Sequence, residues 1–142
     1  MEYLRAQYGT ETVSVTDCAT FDCRDWSLSN FIDYLHDVRG DNGEREVLYL
    51  KDWHLVLVDP SFYQTPKHFQ SDWLNEYCLA QSKSDYRFVY IGPRHSKTPI
   101  HRDVLLSHSW SANITGKKLW HFWSPEDGDG IMPHVGKYVG VF

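Results

Sequence analysis

The chain has 142 residues, 42% of them hydrophobic and 15% aromatic, with a formal charge of −5. That length holds one domain at most, and this aromatic content belongs to a packed core, not to a disordered segment. The acidic balance excludes a protein built to grip a phosphate backbone, which needs a basic face, so no nucleic-acid partner is expected.

No apolar run reaches the ~18 residues of a membrane span, and the opening M-E-Y-L-R-A-Q-Y lacks a signal peptide's apolar stretch. A soluble, intracellular protein is expected, cytoplasmic or alternatively nuclear, with no membrane partner. Cys18, Cys23 and Cys78 are an odd set without a C-x-x-C, which argues against a disulfide framework and against a four-ligand zinc site. Reduced, largely buried thiols are the simpler reading.

In chain order, Glu2 to Tyr8 reads as a short helix closed by Gly9 at the C′ position. Thr12 to Val15 alternates as a short strand, and Asp17 to Trp26 reads as irregular and polar. Ser27 is a good N-cap for a helix over Leu28 to Val38. Its Leu28, Phe31, Ile32, Leu35 and Val38 form an apolar stripe that predicts core packing. Arg39 to Gly43 is a turn cluster. Val47 to Leu50 reads as a buried strand, in which Tyr49 on residue type alone is a core aromatic. Asp59-Pro60 and Thr65-Pro66 mark a loop with Phe62, Tyr63 and Phe69 as anchors. Ser71 or Asp72 caps a helix carrying Trp73, Leu74, Tyr77 and Cys78. A connector at Lys83 to Asp85 leads into a buried strand, Arg87 to Ile91. His36, His54, His68 and His95 are scattered, and each is expected to be a surface or internally satisfied histidine.

Chemistry concentrates in Thr98 to Trp123, T-P-I-H-R-D-V-L-L-S-H-S-W-S-A-N-I-T-G-K-K-L-W-H-F-W. Thr98-Pro99 enforces an extended entry. His101 and Asp103 then stand two apart, on one face of an extended run. An imidazole beside a carboxylate is two-thirds of the 2-His-1-carboxylate triad that suits non-haem Fe(II). With this many His, Asp and Glu, roughly one H-x-D/E arises by chance, so the pair alone proves little. Its surroundings add weight. Trp110, Ala112 and Ile114 alternate with polar neighbours, Gly116 permits a turn, and Lys118 to Trp123 reads as a second strand. The letters H-R-D also occur in a protein kinase catalytic loop. That loop needs Asn five residues after the Asp, where this chain has His108, and a glycine-rich loop is missing upstream.

Four blocks, in order, carry a resemblance: Y-L-K-D-W-H-L (Tyr49 to Leu55), S-D-W-L-N-E (Ser71 to Glu76), D-Y-R-F-V-Y-I-G-P (Asp85 to Pro93), and T-P-I-H-R-D through G-K-K-L-W. Together they cover most of residues 45 to 123, and they resemble the Jumonji-C (JmjC) oxygenases, which depend on Fe(II) and 2-oxoglutarate. The resemblance implies an α+β, mainly β fold: the N-terminal portion of a double-stranded β-helix of the cupin or jelly-roll kind, with flanking helices. It divides the chain into a support region at 1–45 and a partial JmjC domain at 46–142.

By the same resemblance, His101 and Asp103 bind Fe(II) with a distal His. Lys118, Thr98 and Tyr49 hold the far carboxylate of 2-oxoglutarate, and O2 is the co-reactant. The activity implied is hydroxylation of a protein, specifically of a lysine in a translation termination factor. Downstream of Asp103 only His108, His121 and His134 are available as third ligand. His108 sits too near the pair and His121 follows directly on the predicted hairpin. His134 lies in a glycine-rich stretch without a strand pattern. Two readings stay open: a chain holding only the first half of the domain, or a compact variant using His134. Past Ser124 the resemblance fades into a turn-rich acidic stretch, Ser124 to Gly130, and a strand-like end, Tyr138 to Phe142. With two ligands in evidence, the chain by itself is not expected to turn over. The rival classes are a protein-interaction module with the fold but an incomplete triad, and a cupin-like protein for another metal.

Overall fold

The structure, a computed structural model, describes residues 1–40, 45–81, 83, 85–124, 126 and 127. The expected strand at Tyr138 to Phe142 and the candidate ligand His134 lie outside the described residues, as do parts of the two turn clusters. The chain divides into two compact units, Met1–Lys97 and Thr98–Phe142.

The first unit is an antiparallel sheet backed by helices. Its elements are α1 (Glu2–Tyr8), β1 (Thr12–Asp17), β2 (Cys23–Ser27), α2 (Leu28–Asp37), β3 (Leu48–Trp53), α3 (Leu55–Val58), α4 (Trp73–Ala80) and β4 (Val89–Ile91). The strands run in the order β2-β1-β3-β4. This α+β arrangement, with helices flanking an antiparallel sheet, is the fold class read from the sequence.

The core forms where two periodicities meet. On α2, the predicted stripe buries Leu28, Phe31 and Ile32 completely. Against it lie Val13 and Val15 of β1 with Leu48 and Leu50 of β3, alternate residues that share a sheet face. Tyr8, Trp53 and Leu55 complete the cluster. Ser27 caps α2 as predicted, its Oγ accepting from Asn30 N at 3.2 Å. Tyr34 laces the helix to β3: Leu48 N donates to its hydroxyl at 2.8 Å, and the hydroxyl donates to Glu46 O at 2.9 Å.

Gly9 ends α1, but with right-handed backbone, φ −58°. Its need for glycine is close approach, since a Cβ there would run into Arg5 O and Ser29 Oγ. Ser29 N donates to Gly9 O at 2.9 Å, which brings the two helices together at this point.

The stretch from Asp17 to Trp26, expected to be irregular, contains β2. It pairs with β1 from Thr12↔Ser27 to Thr16↔Cys23. C-R-D-W-S is a polar edge strand, and with little apolar alternation its backbone pairing leaves no mark in the side-chain pattern. The hairpin is held by Asp17, whose Oδ1 accepts from Ala19 N at 2.6 Å and Thr20 N at 3.3 Å. Four-residue α3 was also not anticipated.

β4 continues the ladder, with Leu50↔Ile91, then slips by a bulge to Trp53↔Val89. At the bulge Asp52 is left-handed, φ 55°, and its Oδ1 accepts from Tyr90 OH at 2.7 Å. Asp72 caps α4, accepting from Asn75 N at 3.1 Å. The connector residue Asp85 is fully buried: His54 Nδ1 lies 2.7 Å from its Oδ1, and Arg87 Nε donates to its Oδ2 at 2.8 Å. His54 is thus satisfied internally, as expected, while Asp85 is an ion-pair centre that the sequence did not announce.

The second unit departs from expectation. Among its described residues there is no strand; a 3-10 turn spans Val104–Leu106, with Leu105 and Leu106 left-handed at φ 56° and 52°. The runs predicted as strands keep period two without pairing. Trp120 and Phe122 stack with centroids 5.9 Å apart, and His121 and Trp123 meet at 6.0 Å. Residues two apart therefore share a side, as in extended chain. Alternation determines side-chain parity, whereas a strand also needs a hydrogen-bonded neighbour, and the described residues of this unit supply none.

Candidate metal centre

Pro99 determines how the pair is presented. Its carbonyl lies 2.9 Å from His101 Nδ1. A carbonyl can only accept, so Nδ1 carries the proton, and in the neutral ring Nε2 bears the lone pair. That Nε2 stands 3.4 Å from Asp103 Oδ1. The other carboxylate oxygen, Oδ2, accepts from Ser109 Oγ at 2.8 Å. Each member of the pair is thus oriented by a second partner that leaves one acceptor atom aimed at the other. Two acceptors at that distance need something positive between them: a proton on Nε2, or a metal cation.

The separation fits the second option. First-row metals hold N and O ligands at about 2.1 Å, which places two adjacent donors about 3 Å apart. Both side chains are well exposed, 43% and 40%, so a cation has access. A third ligand is a different matter. Among the described residues no group of three or more His, Cys, Asp and Glu side chains is arranged to hold a metal ion. His108 and His121 are exposed, and His121 lies against Trp123.

The residues expected to hold the cosubstrate fall in both units. Thr98 is exposed, at the start of the second unit, three residues before His101. Gly116 turns the chain with φ 73°, and Asn113 Nδ2 donates to its carbonyl at 3.0 Å. Beyond that turn Lys118 shares a side with Trp120: its Nζ sits 4.2 Å from the ring centroid. Burial there pushes the ammonium below the ordinary lysine range. Tyr49 belongs to the first unit, on β3. Leu48 and Leu50 face α2, so Tyr49 lies on the opposite sheet face. It is only 8% exposed, and its hydroxyl makes no hydrogen bond among the described residues. Burial pushes this phenol above the ordinary tyrosine range.

Ser109 and the Pro99 carbonyl were not singled out from the sequence. Ser109 lies six residues past Asp103, in a run read as a strand, where it would not fold back. The left-handed pair Leu105-Leu106 makes that return possible.

No family model and no solved structure match the chain. Curated relatives do. The chain is 41% identical over 140 residues to the 2-oxoglutarate and iron-dependent oxygenase JMJD4 of Gallus gallus, covering 90% of this chain and 32% of that protein. It is 35% identical over 143 residues to JmjC domain-containing protein 1 of Schizosaccharomyces pombe, covering 89% and 31%. The chain belongs to the Jumonji-C family. Arginine-specific demethylase JMJ20 of Arabidopsis thaliana is a further Jumonji-C relative, 41% identical over 140 residues with 83% and 30% covered. The chain spans about a third of the length of these curated relatives.

Proposed function

We propose that this chain carries the metal-binding and cosubstrate-binding segment of an Fe(II)- and 2-oxoglutarate-dependent Jumonji-C oxygenase acting on protein. The observation that carries the reading is the His101–Asp103 pair, Nε2 to Oδ1 at 3.4 Å with each outer atom already engaged. His101 and Asp103 hold Fe(II). By the family resemblance, Lys118, Thr98 and the Tyr49 hydroxyl are the groups assigned to the far carboxylate of 2-oxoglutarate, through charge-assisted hydrogen bonds.

When bound, Fe(II) with 2-oxoglutarate and O2 supplies oxidative decarboxylation to succinate and CO2, coupled to insertion of oxygen into a substrate C–H bond. The chain's own part is to orient. Pro99 O keeps the proton on His101 Nδ1, and Ser109 holds Asp103 so that Oδ1 stays toward the imidazole. Trp120 fixes the Lys118 side chain on one side of the extended run.

For the substrate, we favour hydroxylation of a lysine in a translation termination factor, the activity implied by the resemblance. One relative is named an arginine-specific demethylase, and removal of an N-methyl group also begins with oxygen insertion at carbon, so the same ligands serve either outcome. A second reading, a protein-interaction module with an incomplete triad, is favoured by the absence of a three-ligand group among the described residues.

Anaerobic calorimetric titration with 2-oxoglutarate, with and without excess Fe(II), separates these. The oxygenase reading expects binding that requires the metal and is lost in His101→Ala and in Asp103→Ala. Binding that ignores both the metal and these variants would favour the interaction module.

A further inference from the structure

We propose that Gly92 is a positioning residue for the Tyr49 phenol, through the side chain it lacks. This rests on the reading that Tyr49 receives the carboxylate of 2-oxoglutarate. The ladder ends at Leu50↔Ile91, and its register carried one antiparallel step further sets Tyr49 opposite Gly92, just past the strand. Residues directly across a ladder share a face, so a side chain at 92 would share the space of the Tyr49 ring.

A Cβ built at Gly92 would lie 2.7 Å from Tyr49 Cδ2 and 2.8 Å from Ser96 Cβ, and would overlap Ser96 Oγ. Backbone dihedrals are not the reason for glycine here; space is. Position 92 has no left-handed φ, whereas Gly40 and Gly116 do.

Two anchored groups prevent the neighbours from yielding. Ser96 is tied back into its own turn, its Oγ donating to Pro93 O at 2.8 Å. On the other flank Tyr90, two residues before Gly92 and on the same face, has its ring centroid 6.0 Å from that of Tyr49. Tyr90 is itself fixed by its bond to Asp52 at the bulge. The Tyr49 ring is therefore bounded by a held aromatic on one flank and bare backbone on the other. A methyl group at 92 would push the ring, and the hydroxyl it carries, out of this position.

The test uses four variants of the whole chain: Tyr49→Phe, Gly92→Ala, Gly92→Ala with Ser96→Gly, and Tyr49→Phe with Gly92→Ala. Two properties are read. The first is the aromatic NMR spectrum of tyrosine-labelled protein without ligand, with the Tyr49 signals identified by their loss in Tyr49→Phe. The second is 2-oxoglutarate affinity in excess Fe(II) without O2. In Gly92→Ala the Tyr49 signals should move while those of Tyr8 and Tyr34 stay. Tyr49→Phe should weaken 2-oxoglutarate binding by about ten-fold, as expected for one charge-assisted hydrogen bond. Gly92→Ala should weaken it comparably, and should add nothing in the Tyr49→Phe background, because no hydroxyl remains to be placed.

The Ser96→Gly combination removes the serine overlap and retains the one with Tyr49, so it also serves if Gly92→Ala alone fails to fold. It should not restore binding. Full restoration by Ser96→Gly would overturn the proposal, making the Gly92–Ser96 turn the whole story. Tyr49→Phe that binds poorly beside Gly92→Ala that binds normally would overturn the positioning role alone. Tyr49→Phe that binds like wild type would overturn the cosubstrate reading beneath it.

Discussion

Lys118 holds its charge against an aromatic face, and the parity of the run past Gly116 decides that it, and not Lys117, lies with Trp120 and Phe122. Loss of one charge-assisted contact costs on the order of 1.5–3 kcal/mol, so Lys118→Ala should weaken 2-oxoglutarate binding about ten-fold or more in calorimetry. Lys117→Ala should leave it nearly unchanged; the reverse ranking would mean that the opposite side of the run faces the cosubstrate. Asp17 offers a pH test. The Ala19 and Thr20 amides, and Arg24 at 3.8 Å, hold its carboxyl below the ordinary range in the folded chain. Its stabilisation is complete above the unfolded value of about 3.9 and is lost as pH falls through that value toward the lower folded one. Asp17→Asn should flatten the acid limb of a denaturation-versus-pH curve, and parallel limbs in the two proteins would contradict this. At this scale the pair His101 and Asp103 was legible from spacing two, which an extended chain converts directly into a shared face. Ser109 was not, because its contact depends on left-handed backbone at two leucines, residue types that rarely adopt it.

Elements were legible where burial imposes a period. The α2 stripe faces the sheet with Phe31 at its centre, fully buried. Phe31→Ala removes a large buried ring and should cost about 3–5 kcal/mol, read as a lowered denaturant midpoint with an unchanged slope. A cost below about 1 kcal/mol would mean that α2 does not seat on β1 and β3 as described. β2 escaped notice because an edge strand of polar residues is specified by its neighbour's backbone, not by its own pattern. The runs after Asp103 erred in the opposite direction. Trp110 to Ile114 and Lys118 to Trp123 have the alternation of strands, yet the described residues around them provide no partner ladder.

For the molecule as a whole, the two units differ in how much apolar surface they cover. The first encloses its core, whereas Leu105, Leu106, Ile114, Leu119 and Phe122 of the second are each more than 70% exposed. Apolar surface of that extent, on extended chain with no partner ladder among the described residues, favours association with other chains. Light scattering across a concentration series should show self-association, and Leu119→Lys with Phe122→Lys should reduce it. Scattering by the double variant indistinguishable from wild type would place the sticky surface elsewhere.

Iron uptake is the most direct measure of what the His101–Asp103 pair is for. The described residues supply two protein ligands, which hold Fe(II) loosely, so anaerobic titration of the chain followed by elemental analysis should give measurable occupancy well below one iron per chain. His101→Ala and Asp103→Ala should each abolish it, whereas His36→Ala, which alters exposed contacts with acidic neighbours such as Glu2, should not. Iron occupancy in both site variants equal to that of wild type would contradict the assignment and leave the pair as an ordinary surface contact.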